Sequence, residues 1–553
     1  DGAKIHAIVV RNAEVSEPSP AVLFHTIYAR KNDLNRAKMA AKHGYVGVVS
    51  YTRGKGLSPD SIVPYKHEAT DAYEVIEWIS KQEWSNQKVG MYGGSYVGFT
   101  QWAAVKHKVH PALKTIVPSV SAAPGIAEPM ENGIHWNFHY PWHYYVSNNK
   151  YLDTTLYNNG QRWHNLNMKW FETGAAYSAM DSLDGLPNPQ FREGLLHPTY
   201  DSYWQRMMPY KEEFAHIDIP VLATTGYYDG GQVGTQYYLK EHAKYNPNAE
   251  HYLVIGPYTH FGAQEKPSSH IFGYDIDPVA QIDILELIFE WFDHILKGKT
   301  KPALLKDKIN FQVMGANKWG HASSLQTIAN DTLAYYFGNE RSGLPIASLF
   351  GTGNNGKDEH YTLSQQALNP KEYLEQVIDL SDRSNLTWNS SGWRTIISDS
   401  LMVGNGFSFI TEPFESDVEL NGSFGGEISV STNKKDFDYT VVLFEQTPDG
   451  KFFALTLPYK ARASFAHSLE KRQLLTPGEK TKLPFGIVRM TSKRISKGSR
   501  LVVVINGNKE PFTELNYGTG KSVSEETIQD AMEPLVIKWY GDGYISIPVM
   551  VDH

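Results

Sequence analysis

The stretch Lys88-Val89-Gly90-Met91-Tyr92-Gly93-Gly94-Ser95-Tyr96-Val97-Gly98-Phe99 leaves the chain few ways to fold. A short apolar run ends in two glycines, a serine follows, and helical character begins at once. That pattern hands a strand to a helix through a turn too tight for bulky neighbours. The serine is forced into a strained, exposed position above the end of a sheet, near the positive end of the next helix. Ser95 is therefore a candidate nucleophile. The pattern departs from plain G-x-S-x-G, since Val97 takes the second glycine's place and Gly98 follows one residue later. An ordinary strand-to-helix turn reads the same way, so the surrounding chain has to discriminate.

The first third alternates strand and helix signals. Strands are expected over Lys4–Arg11, Ala21–Thr26, Gly44–Tyr51, Val89–Tyr92 and Leu113–Val117, and helices over Asn32–His43, His67–Lys81 and Tyr96–Lys108. This rhythm predicts a parallel sheet covered on both faces. It breaks between 125 and 215, where aromatic and polar pieces suggest an insertion of helices. It resumes with the strand Pro220–Thr225, a helix from about Gly234 to Lys244, the strand Tyr252–Ile255 and the helix Pro278–Leu296. Beyond Gly298, short alternating runs such as Glu427–Thr432, Tyr439–Glu445, Phe452–Tyr459, Arg500–Asn506 and Tyr544–Val551 indicate an all-β sandwich of jelly-roll type. The expected fold is thus α/β with a helical insertion and a β-domain. Its parts are 1–124 and 216–315 for the α/β core, 125–215 for the insertion and 316–553 for the jelly roll.

A length of 553 residues calls for more than one core. A net charge of -8, with no basic run bearing interleaved aromatics, excludes a typical nucleic-acid binder. No apolar run is long enough to span a membrane. The absence of cysteine removes disulfides, thiol nucleophiles and cysteine metal sites. The 13 Trp and 33 Tyr suit a protein that handles organic groups or sugars. Because the chain opens at Asp1, a removed leader and a bacterial exported or periplasmic location are favoured over the cytoplasm. The sequons at Asn330, Asn385 and Asn421 matter only in a eukaryotic secretory route. Oligomeric state is left open.

A serine hydroxyl is a poor nucleophile near neutral pH and needs a base, which in turn needs an orienting carboxylate. In a sheet of this kind the partners follow later strands, in the order serine, acid, histidine. Pro220–Thr225 is followed by Gly226-Tyr227-Tyr228-Asp229-Gly230-Gly231, and Tyr252–Ile255 by Gly256-Pro257-Tyr258-Thr259-His260-Phe261-Gly262. Alone, an Asp before Gly-Gly is usually a turn former and a loop histidine is usually solvated. Three loops offering the right types, in the right order, at one end of one sheet are a different matter.

Together these motifs resemble the Xaa-Pro dipeptidyl-peptidase/cocaine-esterase (CocE/NonD) family of serine hydrolases, which includes α-amino-acid ester hydrolases and glutaryl-cephalosporin acylases. Asp1-Gly2, Arg53-Gly54-Lys55-Gly56-Leu57-Ser58, Glu77-Trp78-Ile79, Thr411-Glu412-Pro413-Phe414 and Leu474–Glu479 extend the resemblance over nearly the whole chain. It implies an α/β-hydrolase fold with an inserted cap and no cofactor or metal. It implies Ser95 as acyl acceptor, His260 as general base and acid, and Asp229 as its orienting group. It also implies an oxyanion hole made by the Tyr96 backbone N–H and the Tyr28 hydroxyl.

There are departures. Tyr51 replaces an acid of the family, so an ion pair to Arg53 is expected to be missing. Gly231 and Gln232 stand where relatives that select a free α-amino group carry carboxylates, which argues against such selection unless Glu128 or Glu131 substitutes. The aromatic run His135–Tyr145 is read as a wall of the substrate pocket, with Trp136, His139, Trp142 and Tyr228 as its members. The spacing of His135, His139 and His143 would suit a metal face, but nothing acidic accompanies it. The leading function is a serine hydrolase acting on an ester or amide of a small organic acid. The alternatives are an Xaa-Pro dipeptidyl-peptidase and a non-catalytic carbohydrate-binding protein with a vestigial hydrolase domain. A small ester, amide or short peptide is the expected partner.

Overall fold

The computed structural model describes residues 1–347, 359–387, 395–486 and 489–551. The chain runs through β1 (Ala7–Val10), β2 (Ser19–Thr26), α1 (Leu34–Lys42), β3 (Val46–Tyr51), α2 (Glu68–Ser80), β4 (Ser85–Gly94), α3 (Tyr96–Ala104) and β5 (Leu113–Ser119). After an insertion holding α4 (His139–Ser147) and α5 (Gly160–Thr173), it returns through β6 (Val221–Gly226), α6 (Gln232–Tyr245), β7 (His251–Gly256), α7 (Ile284–Lys297), β8 (Ile309–Val313) and β9 (Lys318–Ala322).

These nine strands form one sheet in the order β1-β3-β2-β4-β5-β6-β7-β8-β9. The pairings from β3 to β8 are parallel and only the two edge strands run antiparallel. Parallel strands are buried on both faces. β3 and β6 are accordingly buried throughout. Helix α7 is the clearest amphipathic case: Asp283 caps it by accepting from Leu285 and Glu286 N–H, and Gly298 ends it in a left-handed turn. Hydrogen bonding carries the sheet on to Ala322, beyond the expected limit at 315. The run Phe452–Tyr459 divides into the strands Phe452–Ala454 and Tyr459–Arg462.

From Asp331 to Met550 the described residues form a fifteen-stranded, largely antiparallel network. It is clamped onto the first half rather than tethered to it. Arg489 donates two bonds of 2.7 Å to the buried Glu131 of the insertion. Arg462 bridges Asp438 and Glu514, and Glu514 also accepts the His135 N–H. One hydrophobic cluster runs through both halves. Among the described residues no helix is long and apolar enough to cross a membrane.

Candidate active site

Ser95 stands between β4 and α3 with φ 61° and ψ -123°, a conformation that costs a non-glycine residue about 1–3 kcal/mol. Its surroundings hold it there. The Ser95 N–H donates to Ser119 O, and Ser95 O accepts from the N–H groups of Gly98, Phe99 and Ala122. The displaced glycine now has a reason: a β-carbon on Gly98 would lie 2.6 Å from Ser121 Oγ and 2.9 Å from Ser119 O, so α3 could not approach the end of β5. Val97, where the pattern has glycine, packs against Gly93 instead.

The loops after β6 and β7 are laced together: Tyr227 N–H donates to Gly256 O, and Tyr228 N–H to Tyr258 O. This pairing sets Asp229 beside His260, whose Nδ1–H donates to Asp229 Oδ1 at 2.7 Å. The carboxylate is fully buried; Oδ1 also accepts the Gly231 N–H and Oδ2 the Thr225 hydroxyl. Burial works against a charged His260. The Asp229 carboxylate, with Glu128 helping, outweighs it and raises the imidazole's pKa above its ordinary value. Gln264, whose Nε2 donates to His260 O, lies on the Ser95 turn: a β-carbon on Gly94 would be 2.1 Å from its Oε1. A cleft of about 310 Å³ opens beside this turn, bordered by Arg30, Arg36, Tyr92, Gly93 and Gln264.

The Tyr28 hydroxyl lies 3.4 Å from Ser95 Oγ and accepts the Trp142 indole N–H at 3.3 Å. Burial raises its pKa, so it stays a donor. The Tyr96 N–H belongs to the unpaired first turn of α3 and makes no hydrogen bond within the described chain. The Tyr96 side chain points elsewhere: its buried hydroxyl donates to Glu68 and accepts the Tyr65 N–H. Burial lifts Glu68 to about 7. Ser95 Oγ makes no hydrogen bond to His260 in this structure; its polar neighbour is Tyr28.

The expected pocket members separate. Trp142 sits against Tyr65 and Tyr96, with the His139 ring 5.7 Å away. Burial, with His143 and His135 adding to it, keeps His139 neutral, and its buried Nδ1 has no hydrogen-bond partner among the described residues. Trp136 forms a backbone bridge to Thr513 of the β-domain. Tyr228 is 5 % exposed, and its hydroxyl donates to Ala454 O, tying the acid loop to the β-domain. Among the described residues no group of three or more His, Asp and Glu side chains is arranged to hold a metal.

Two departures also resolve. Arg53 is not left without an acid, because Asp71 accepts from its Nε and Nη2 and Asp1 from its Nη1. Gln232 is a docking residue: its amide exchanges hydrogen bonds with the Met490 backbone. Glu131 is consumed by Arg489, whereas Glu128 keeps a buried Oε1 without a hydrogen-bond partner among the described residues, and burial pushes it up to about 8. Glu68 and Thr225 were missed. Glu68 had a signal, an acid on the same helical stripe as Ala72, Val75, Ile76 and Ile79; Thr225, inside an apolar strand, had none.

A half-buried serine on a strained turn, a buried acid bonded to a partly exposed imidazole, and an α/β-hydrolase sheet carrying a C-terminal β-rich domain define a serine hydrolase. The chain belongs to the X-Pro dipeptidyl-peptidase/CocE–NonD family. The X-Pro dipeptidyl-peptidase (S15 family) model matches residues 1–262, and that of the X-Pro dipeptidyl-peptidase C-terminal non-catalytic domain matches 308–534. It is 24 % identical over 551 residues to cocaine esterase of Rhodococcus sp. (strain MB1 Bresler), covering 96 % of this chain and 93 % of that one. Among solved structures, an α-amino acid ester hydrolase superimposes with a TM-score of 0.78 at 20 % identity, over 99 % of this chain and 94 % of the other. An aminopeptidase from a marine-sediment Thaumarchaeota archaeon gives 0.76 at 18 % identity, over 100 % and 94 %.

Proposed function

We propose that this chain hydrolyses an ester or amide of a small organic acid through an acyl-enzyme on Ser95. The observation that carries the reading is the 2.7 Å Asp229–His260 bond beside a serine held at φ 61° with a phenol 3.4 Å from its hydroxyl. His260 Nε2 takes the Ser95 proton as Oγ attacks the carbonyl carbon. The carbonyl π electrons move onto oxygen, where the Tyr28 hydroxyl and the Tyr96 N–H receive the charge. The imidazolium then protonates the leaving alcohol or amine as its bond to carbon breaks. Water repeats the sequence on the acyl-enzyme, releasing the acid and restoring Ser95. Asp229 keeps the Nδ1–H tautomer and stabilises the imidazolium. Catalytic hydrogen bonds often tighten only when substrate is bound, which accords with Ser95 resting on Tyr28. We read 125–215 as a cap whose Trp142 and His139 face the acyl group, and 316–553 as a jelly roll.

With a short-chain aryl ester, Ser95→Ala should lose roughly 10⁴-fold or more in kcat, and a fluorophosphonate should label only the parent protein. Parent-like turnover by the variant would refute the assignment. Glu128 favours a second reading, an acyl group bearing a free amine as in an Xaa-Pro dipeptide, because an ammonium could pair with its Oε1, which has no hydrogen-bond partner among the described residues. Faster turnover of an Xaa-Pro anilide than of its N-acetylated form, lost in Glu128→Gln, would establish it.

A further inference from the structure

The Tyr28 hydroxyl has two neighbours, and their chemistry differs. An indole N–H can only donate. At the 3.3 Å contact with Trp142, the phenol oxygen therefore accepts, and its single proton is left for the other side, where Ser95 Oγ lies at 3.4 Å. A serine or tyrosine at Trp142's place could take the phenol's proton instead; tryptophan cannot. We propose that Trp142 is a positioning residue of the oxyanion hole: its indole N–H turns the Tyr28 proton toward the reacting carbonyl. The inference rests on the oxyanion role proposed above for Tyr28.

The surrounding structure fixes the indole in place. Its ring stacks on Tyr65 and lies 6.0 Å from Tyr96, and Tyr96 is itself tied to Glu68. One turn along α4, the Tyr145 ring reaches Tyr28. The C-terminal end of α4 is anchored by Lys55, whose buried ammonium donates to Val146 O and Asn149 O. The inserted helix thereby reaches the reacting centre through one hydrogen bond, so the seat of the insertion on the sheet bears on transition-state charge. A donor that itself accepts a hydrogen bond is polarised toward its own acceptor, which strengthens the bond to a developing oxyanion.

The test is a double-mutant cycle on kcat for an aryl ester, read together with inhibition by a boronic acid, whose serine adduct carries the tetrahedral anion. Trp142→Phe keeps an aromatic ring and removes the N–H. It should lower kcat roughly three- to tenfold, weaken boronate inhibition by a similar factor and leave KM unchanged. Tyr28→Phe should lower kcat by roughly 10²–10³-fold. In the Tyr28→Phe background, Trp142→Phe should have no further effect. If the Trp142→Phe loss persists in that background, or appears in KM alone, tryptophan is merely a wall and the inference falls. General damage to packing would persist in the same way, so the cycle also separates that case. If Tyr28→Phe loses activity while Trp142→Phe does not, the oxyanion role stands and the positioning role fails. If Tyr28→Phe is silent, both fail.

Discussion

Replacing Asp229 by Asn is the most informative single change, because the hydrogen-bond pattern around the carboxylate fixes which way the amide turns. Oδ1 accepts from both His260 Nδ1–H and Gly231 N–H, while Oδ2 accepts only from the Thr225 hydroxyl. An amide nitrogen in the Oδ1 position would face two donors. In the Oδ2 position it faces one hydroxyl that can rotate to accept. The Asn oxygen therefore stays toward His260, the Nδ1–H tautomer survives, and the change removes charge but not geometry. A unit charge at 4 Å is worth about 4 kcal/mol at an effective dielectric of 20, and the retained hydrogen bond recovers part of that. The expected loss in kcat is about 10²–10³-fold, against about 10⁴-fold for Asp229→Ala, which also frees the imidazole. The assay is aryl-ester turnover across pH. In the parent, kcat/KM should rise with pH through a midpoint above that of ordinary imidazole, because the base role proposed for His260 needs it neutral and the Asp229 charge raises its pKa. With the charge gone, burial prevails and the midpoint moves down. An Asn variant as inactive as the Ala variant, or a midpoint that does not fall, would refute the reasoning.

Other expectations follow from the same structure. Arg489→Met leaves Glu131 buried without its cation and should cost about 3–5 kcal/mol in denaturant unfolding, while pairing it with Glu131→Met should recover most of the loss. Gln232→Ala removes both bonds to Met490, and hydrogen exchange at Tyr227–Gly231 should speed up as the acid loop loosens. The neutral, buried His251, whose Nδ1 lies 3.2 Å from His242 Nδ1, has its pKa held far below the usual range by burial. The unfolded chain binds the proton first, so stability should fall as pH drops below about 6.5, and His251→Leu should flatten that dependence.

The sequence by itself determined the parts whose causes are local. The two glycines and serine at 93–95 dictate a strained turn wherever the chain goes, and the apolar runs around it dictate buried parallel strands. The β6 and β7 loops advertise an acid and a histidine because each follows such a strand. What only the tertiary structure decided are contacts between residues far apart in the chain. Tyr228 and Gln232 flank the acid, yet one turns to Ala454 and the other to Met490, because the β-domain docks there. Arg53 finds its acids at Asp71 and Asp1, eighteen and fifty-two residues away. Trp142 reads as one aromatic among many until α4 seats its N–H on Tyr28. Periodicity reports which face of an element is apolar, but which partner meets that face depends on how the elements close on one another, and no short window of residues encodes that closure.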